Sequence, residues 1–542
     1  MKTCSKYNRM GIWTAWCMSF LVVAGIQRVD GSSNFGASVA VGNFNGVSEQ
    51  TYSTDEIVVG NSYEGNGFIY VYVKDSSGNW VVFRKAADSF GGTTNGFGGF
   101  GYSFAVGDFN GDGKVDLAVG CPNETVDGQG NAGAVYILYG ANNGSGQWPF
   151  GSYRRITADD AFSVPISGPQ PNAAFGASLA AGDFNGDGVA DLAVGAPNTP
   201  TSVTFAGAVY VFHRLTPTGS LGVAEYTYYP GGPYGPNVGT AGVGYNFGLT
   251  LAAGNFNGIY HGTFTNGGHG GTADMDLAVG TPYDKVNSVA NAGSVTVMYG
   301  GLDHLNDSFA QAPQLWTENN TGGTAKANEL FGSSIVGGSF SRNINLWYDW
   351  LAIGIPNATV NNLAHAGEVR VLKGSSSGLT GSGSQLYYPG ATVAGHVFAS
   401  GVAPQANGYF GTALAAGDVF NEANGMCQGS GCEPQELIIG EPNRNVSPWL
   451  NSGSIYIVDG QAITGLNPVY NEPIPYNHTG NNIYFGQALA SGQVGLYTNQ
   501  DITVAPNAHD IIVGAPGINQ WNIYYGDRTT VNGTVPYTRN YY

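Results

Sequence analysis

Asp108, Asn110, Asp112 and Asp116 fall within nine positions of GDFNGDGKVDLAVG, residues 107–120. The order returns as Asp183, Asn185, Asp187 and Asp191 in GDFNGDGVADLAVG, residues 182–195. Carboxylates this close repel one another unless a cation sits among them. Hard oxygen donors without thiol or imidazole select Ca2+ over transition metals. Odd-position spacing lets alternate side chains of a tight loop turn inward, and Gly113 or Gly188 permits the bend. A helix-flanked calcium loop would carry Glu at its twelfth position, where this chain has Val119 or Val194. The flanking runs are strand-like, so each acidic stretch reads as a hairpin loop.

No other local pattern carries chemistry. The eight His residues are scattered, no G-x-S-x-G elbow occurs, and no acid–base pair stands outside the acidic loops. No catalytic residues and no enzyme activity are expected. His261 and His269, in HGTFTNGGHG, read as parts of a Gly-rich loop rather than a metal pair. Cys427 and Cys432 share the Gly-rich MCQGSGCEP, where they form either a small disulfide or two free thiols; spacing does not decide between them. Cys121 stands where sister segments have Ala, Thr or Ile, a small buried apolar role.

The elements that position the acidic loops recur along the chain. Starts of the FGASVAVGNFNG kind begin at Phe35, Phe100, Phe175, Phe247, Phe331, Phe410 and Phe485. Each is followed by a second apolar run (EIVVGNS, DLAVGCP, DLAVGAP, DLAVGTP, LAIGIP, LIIGEP, IIVGAP) and by a third such as GFIYVYV or GAVYILYG. Runs such as GSYRRITAD and SQLYYPG supply a fourth before the next Phe-Gly. With 86 Gly residues and 42% hydrophobic content, short strands joined by tight turns are expected. The fold class predicted is all-β, a seven-bladed β-propeller of four-stranded antiparallel blades. The Phe ring would pack between neighbouring sheets, and the Gly would permit close backbone approach.

The Phe-Gly starts, the acidic loops, and GAP at 195–197 and 514–516 resemble the FG-GAP repeats of integrin α-subunit head domains, over about residues 33–526. That resemblance implies seven blades and a Ca2+ site in each complete loop. The matching ligands are Asp108, Asn110, Asp112, the Lys114 carbonyl and Asp116, then Asp183, Asn185, Asp187, the Val189 carbonyl and Asp191. The other loops are degraded: Asn43 and Asn45 precede Glu56, Asn255 and Asn257 precede Asp276, and Asp418 and Glu436 flank the cysteine loop. Units five and seven keep no convincing remnant. In that family, the rim opposite the calcium loops carries much of the partner contact.

Three segments follow. Residues 1–25 read as a secretory signal, with Lys2, Lys6 and Arg9 before the apolar GIWTAWCMSFLVVAG and small residues at Ala24 and Gly25. Residues 26–526 form the propeller, and 527–542 are a tail that closes the ring, with the segment near Val29 as competitor, or adds to a neighbouring molecule's sheet. Losing the signal removes three positive charges and takes the net charge from −18 to −21, which repels nucleic acid and suits cations. No membrane span is expected. Sequons at Asn123, Asn143, Asn306, Asn319, Asn357, Asn445, Asn477 and Asn532 suit a secreted glycoprotein. The expected function is an extracellular structural or adhesive module that contacts other proteins, its sharpest form a self-assembling filament or coat subunit. The alternative is a glycan-binding propeller using Tyr and Trp platforms.

Overall fold

The computed structural model describes residues 35–46, 55–92, 98–161, 168–201, 205–217, 226–230, 232, 244–261, 272–301, 304–305, 311–340, 348–393, 396–417, 419, 435–458, 460, 474–475, 481–492, 510–524 and 538–541. They form seven four-stranded antiparallel sheets, each a contiguous stretch of chain, plus two short hairpins. Blade 1 runs Ser38–Gly42, Glu56–Asn61, Phe68–Lys74 and Trp80–Lys85, strand one innermost. Blade 2 runs Phe104–Gly107, Asp116–Cys121, Ala134–Gly140 and Phe150–Ile156; blade 3 runs Ser178–Gly182, Asp191–Ala196, Ala208–Phe212 and Tyr226–Tyr228. Blades 4, 5, 6 and 7 follow in chain order, their first strands Thr250–Gly254, Ser334–Gly338, Leu414–Gly417 and Ala488–Gly492 and their last Gln314–Trp316, Thr380–Tyr387, Ile474–Pro475 and Thr538–Tyr541. The protein is therefore an all-β, seven-bladed propeller.

Strand two of every blade is buried along all six residues, which is why EIVVGN and DLAVGC read as continuous apolar runs instead of alternating ones. Each such strand lies between two sheets and shows no face to water. Its Gly marks the closest approach of blades: a Cβ on Gly120 would lie 2.2 Å from the Gly176 carbonyl oxygen, and one on Gly195 2.2 Å from that of Gly248. Both carbonyls belong to the Phe-Gly pair of the following blade. The Phe of that pair docks backward as well, with Phe100 N donating to Asn66 O (3.1 Å) and Phe175 N to Ala132 O (3.0 Å). Phe100, Phe175 and Phe485 are fully buried between sheets.

A hydroxyl reinforces each early seam. Ser38 Oγ donates to Gly101 O, Ser103 to Gly176 O, Ser178 to Gly248 O, Thr250 to Gly332 O and Ser334 to Gly411 O, at 2.6–2.8 Å. The ring closes by the same contacts: a Cβ on Gly514 would lie 2.0 Å from Gly36 O. Tyr72 of blade 1 meets Trp521 of blade 7 edge-on at 4.7 Å, within a core that joins Phe35, Ile57 and Val59 to Ile512 and Ile523. The tail strand Thr538–Tyr541 pairs antiparallel with Gln520–Tyr524 as the fourth strand of blade 7. Among the described residues, closure thus comes from packing between two complete sheets, with no strand exchanged between blades 1 and 7. The segment near Val29 lies outside the described residues.

Candidate metal loops

The acidic loops join strands one and two of blades 2 and 3. Their second residue is an anchor: Phe109 and Phe184 are fully buried, as are Phe44, Phe256 and Phe340 at the same place in blades 1, 4 and 5. Above the anchor the loop is wound by its own side chains. Asp108 Oδ1 accepts from Gly111 N (2.8 Å) and Asp112 N (3.1 Å), and Oδ2 from Gly113 N (2.7 Å). Asn110 Oδ1 accepts from Asp112 N (2.8 Å), and Asp112 Oδ1 from Lys114 N (2.9 Å). Blade 3 repeats the winding, with Asp187 N and Gly188 N on Asp183 (3.0 and 2.8 Å), Asp187 N on Asn185 (3.2 Å) and Val189 N on Asp187 (2.9 Å). Positions one, three and five thus wind a single tight turn, and Gly113 (φ 81°) and Gly188 (φ 85°) supply the left-handed residues it needs.

The ninth-position acids face another way. Asp116 is fully buried; its Oδ2 accepts from Phe109 N (3.0 Å) and its Oδ1 from Gly140 N (2.9 Å). Asp191 Oδ2 accepts from Phe184 N (2.8 Å), and its Oδ1 stands 2.8 Å from Nδ1 of buried His213. Burial pushes Asp116 up to about 7, with Asp108 and Asp112 adding to the rise. Burial also pushes Asp191 up to about 6, against the pull of His213. These acids clamp the anchor's amide, and blades without an acidic loop use the same clamp. Glu56 Oε2 accepts from Phe44 N (2.8 Å), Asp276 Oδ2 from Phe256 N (2.7 Å), and Glu436 Oε2 from Val419 N.

The clamp is hidden in the sequence because each acid opens an apolar run and directly follows the loop before it. Asp510 begins strand two of blade 7 in the same way, and Asp349 of blade 5 accepts from Asn255 N (2.9 Å); both lie in units expected to keep nothing. The signal was the acidic first letter of EIVVG, DLAVG, ELIIG and DIIVG. Two basic partners were also missed. Lys114 Nζ lies 2.9 Å from Asp112 Oδ2, and Arg214 Nε 2.9 Å from Asp187 Oδ2. Burial alone would raise these two carboxyls, but Lys114 and Arg214 hold them below the usual range.

The donor set fits a hard cation: carboxylates, an amide oxygen and carbonyls on one turn, with no sulfur. Among the described residues, however, no three Asp, Glu, His or Cys side chains converge closely enough to form a metal cage by themselves. Any ion would rely on Asn110 or Asn185 and on backbone oxygen.

On the opposite rim, the loops after strand two are tied to the next blade by amide pairs: Asn131 to Asn172 (3.0 Å), Asn291 to Asn328 (2.9 Å) and Asn451 to Asn482 (2.9 Å). Asn445 on that rim, Asn319 and Asn143 are exposed. Asn123 and Asn357 are half-buried, and Asn357 Nδ2 donates to Asn328 O (3.1 Å). Asn306, Asn477, Asn532, Cys427, Cys432, Asp418 and His269 lie outside the described residues. Cys121 is buried, and its Sγ contacts Gly98 O at 3.1 Å. No helix among the described residues is long and apolar enough to cross a membrane.

The FG-GAP repeat family model matches residues 100–138 and 175–212, the strands and loops of blades 2 and 3. Two blades of the seven-bladed propeller thus carry FG-GAP repeats. It is 31% identical over 202 residues to human phosphatidylinositol-glycan-specific phospholipase D, covering 37% of this chain and 20% of that protein. To mouse integrin alpha-7 it is 40% identical over 126 residues, 23% of this chain and 9% of the relative. To Drosophila melanogaster integrin alpha-PS2 it is 38% identical over 129 residues, 22% and 8% respectively. The match thus spans a fifth or less of each of these relatives.

Proposed function

We propose that the protein is a secreted, non-catalytic propeller that holds Ca2+ in the loops of blades 2 and 3 and presents its opposite rim to other proteins, copies of itself included. One observation carries the reading: two adjacent loops are wound alike, Asp108, Asn110 and Asp112, and likewise Asp183, Asn185 and Asp187, each accepting from amides of their own turn. FG-GAP propellers often bind Ca2+ and mediate protein interactions. Bound there, Ca2+ would supply charge that neutralises the acids and fixes the hairpin; it need perform no reaction. The carbonyls of Lys114 and Val189 complete the donor sets, with Asp116 and Asp191 beneath them.

The opposite rim suits contact because its loops are already ordered by the amide pairs, so docking there costs little conformational entropy. The glycan reading draws less support. Among the side chains whose burial is described, the exposed aromatics are Tyr153 (44%) and Phe205 (37%), and they sit on different blades. Tyr136, Tyr210, Tyr228 and Trp521 are consumed in the cores.

The test compares the purified full chain in millimolar Ca2+ and in chelator, by thermal unfolding and by sedimentation. A melting point several degrees higher with Ca2+, together with larger assemblies or capture of an extracellular protein, supports the reading. Identical melting curves would remove the calcium half, and a strict monomer without partners would remove the adhesive half.

A further inference from the structure

The two acidic loops are not separate structures. Ala190 N, at the eighth position of the blade 3 loop, donates to the backbone carbonyl of Asp108, at the first position of the blade 2 loop (3.0 Å). The side chains interlock beside this bond. A Cβ on Gly111 would meet Val189 Cγ2 at 3.1 Å, and one on Gly107 would meet the Ala190 Cβ at 2.9 Å. This hydrogen bond therefore joins the carbonyl of Asp108, the first residue of one site, to the Val189–Ala190 peptide, whose own carbonyl is a donor of the other.

The rim repeats the link beyond this pair. Met275 N donates to Asp183 O (2.8 Å), Asp349 N to Asn255 O (2.8 Å) and Gln435 N to Ser339 O (2.8 Å). Those later links lead to loops without the acidic set. Only blades 2 and 3 place two complete sets on either side of one such bond.

We infer that the loops of blades 2 and 3 bind Ca2+ cooperatively, each ion raising the affinity of the neighbouring loop through the Asp108–Ala190 backbone bond; this rests on the calcium reading above. The physical reason is shared ordering. An ion that fixes Asp108 also fixes the amide hydrogen-bonded to its carbonyl, so the second loop loses less freedom when it closes. The coupling is reciprocal by linkage, and couplings of this kind typically change affinity about fivefold or more. Repulsion between the two ions opposes the effect but is weakened by the acids around each and by salt.

The experiment is calorimetric Ca2+ titration of the full chain, beside Asp183→Asn/Asp187→Asn, which disables the blade 3 loop, and Asp108→Asn/Asp112→Asn, which disables the other. The wild type should take up two ions with a Hill coefficient above 1. Each variant should take up one ion, about fivefold or more weaker than the wild type's overall affinity, with similar losses in both directions. Circular dichroism establishes that each variant is folded, and Val189→Ala keeps both donor sets while loosening the interlock, so it should lower the Hill coefficient toward 1. Two ions bound independently, with each variant keeping the wild-type affinity of its remaining site, overturn the coupling and leave the calcium reading standing. No uptake by the wild type overturns both.

Discussion

A single carboxyl shows how much of each blade depends on its strand-leading acid. Asp276 is fully buried, its Oδ2 accepting from Phe256 N and Asn257 N and its Oδ1 from Gly300 N. Asp276→Ala leaves those three amides buried without an acceptor, and should cost about 2–4 kcal/mol in denaturant unfolding. An unchanged midpoint would show that water replaces the side chain. Glu56 extends the argument to pH. Burial raises it from 4.5 to about 8, so the folded protein holds a proton that the unfolded chain releases. Its stabilisation is complete below the ordinary value and is lost as pH rises through about 8. Melting temperature in chelator should therefore fall between pH 6 and 9, and Glu56→Gln should make that slope shallower. The oxygen donors of the acidic loops were legible as a pattern of letters. The clamp was not, because Asp at position nine looks the same whether it faces an ion or an anchor's amide. Only the recurrence of the acid in Glu56, Asp276 and Asp510, without an acidic loop before it, separates the two roles.

At the scale of the strand, the Phe-Gly start was legible because its composition states its mechanics: a ring to fill the seam and a residue with no Cβ at the crossing. The hydroxyl two residues after that Gly was visible as a letter but not as a bond, since its acceptor lies on the next blade, 63 residues away for Ser38 and Gly101. Blades 6 and 7 put Ala413 and Ala488 at that place, facing the carbonyls of Gly486 and Gly36 across their seams. The seam between blades 6 and 7 is compensated in part by Ser491 Oγ, which donates to Ala416 O (2.6 Å). Ala413→Ser and Ala488→Ser should each supply the missing bond and stabilise by about 0.5–1.5 kcal/mol, read as a higher denaturant midpoint at unchanged slope. Destabilisation by either would mean that these seams are too tight for a hydroxyl. Gly120→Ala is the opposite case. Its methyl would enter the 2.2 Å gap to Gly176 O, where backbone must move, so a loss of about 1–3 kcal/mol is expected.

For the whole molecule, the question is what keeps the ring shut. Propeller geometry was legible from seven similar units, but closure was not, because residues 527–542 could pair within their own blade or with another molecule, and local sequence is the same in both. In the structure, Thr538–Tyr541 is an outermost strand, far in the sheet from the inner seam where Gly514 meets Gly36. Closure rests instead on Trp521 and Tyr72 and the apolar residues around them. One truncation and one substitution should then separate edge from seam. Truncation after Gly526 removes only the outer strand and bares the hydrogen-bonding edge of QWNIY, an apolar segment open to pairing. The truncated protein should stay a closed ring, with its near-ultraviolet dichroism kept, while its sedimentation coefficient rises with concentration as exposed edges associate. Trp521→Ala keeps the edge covered but empties the seam, at a cost of about 3–5 kcal/mol, and should loosen blade 7 from blade 1 without promoting association. Proteolysis would report that loosening as cleavage within residues 481–524, resisted by the truncated form. If truncation dissolves an assembly that the full chain forms, the tail strand is exchanged between molecules, and the pairing within blade 7 describes only the isolated subunit.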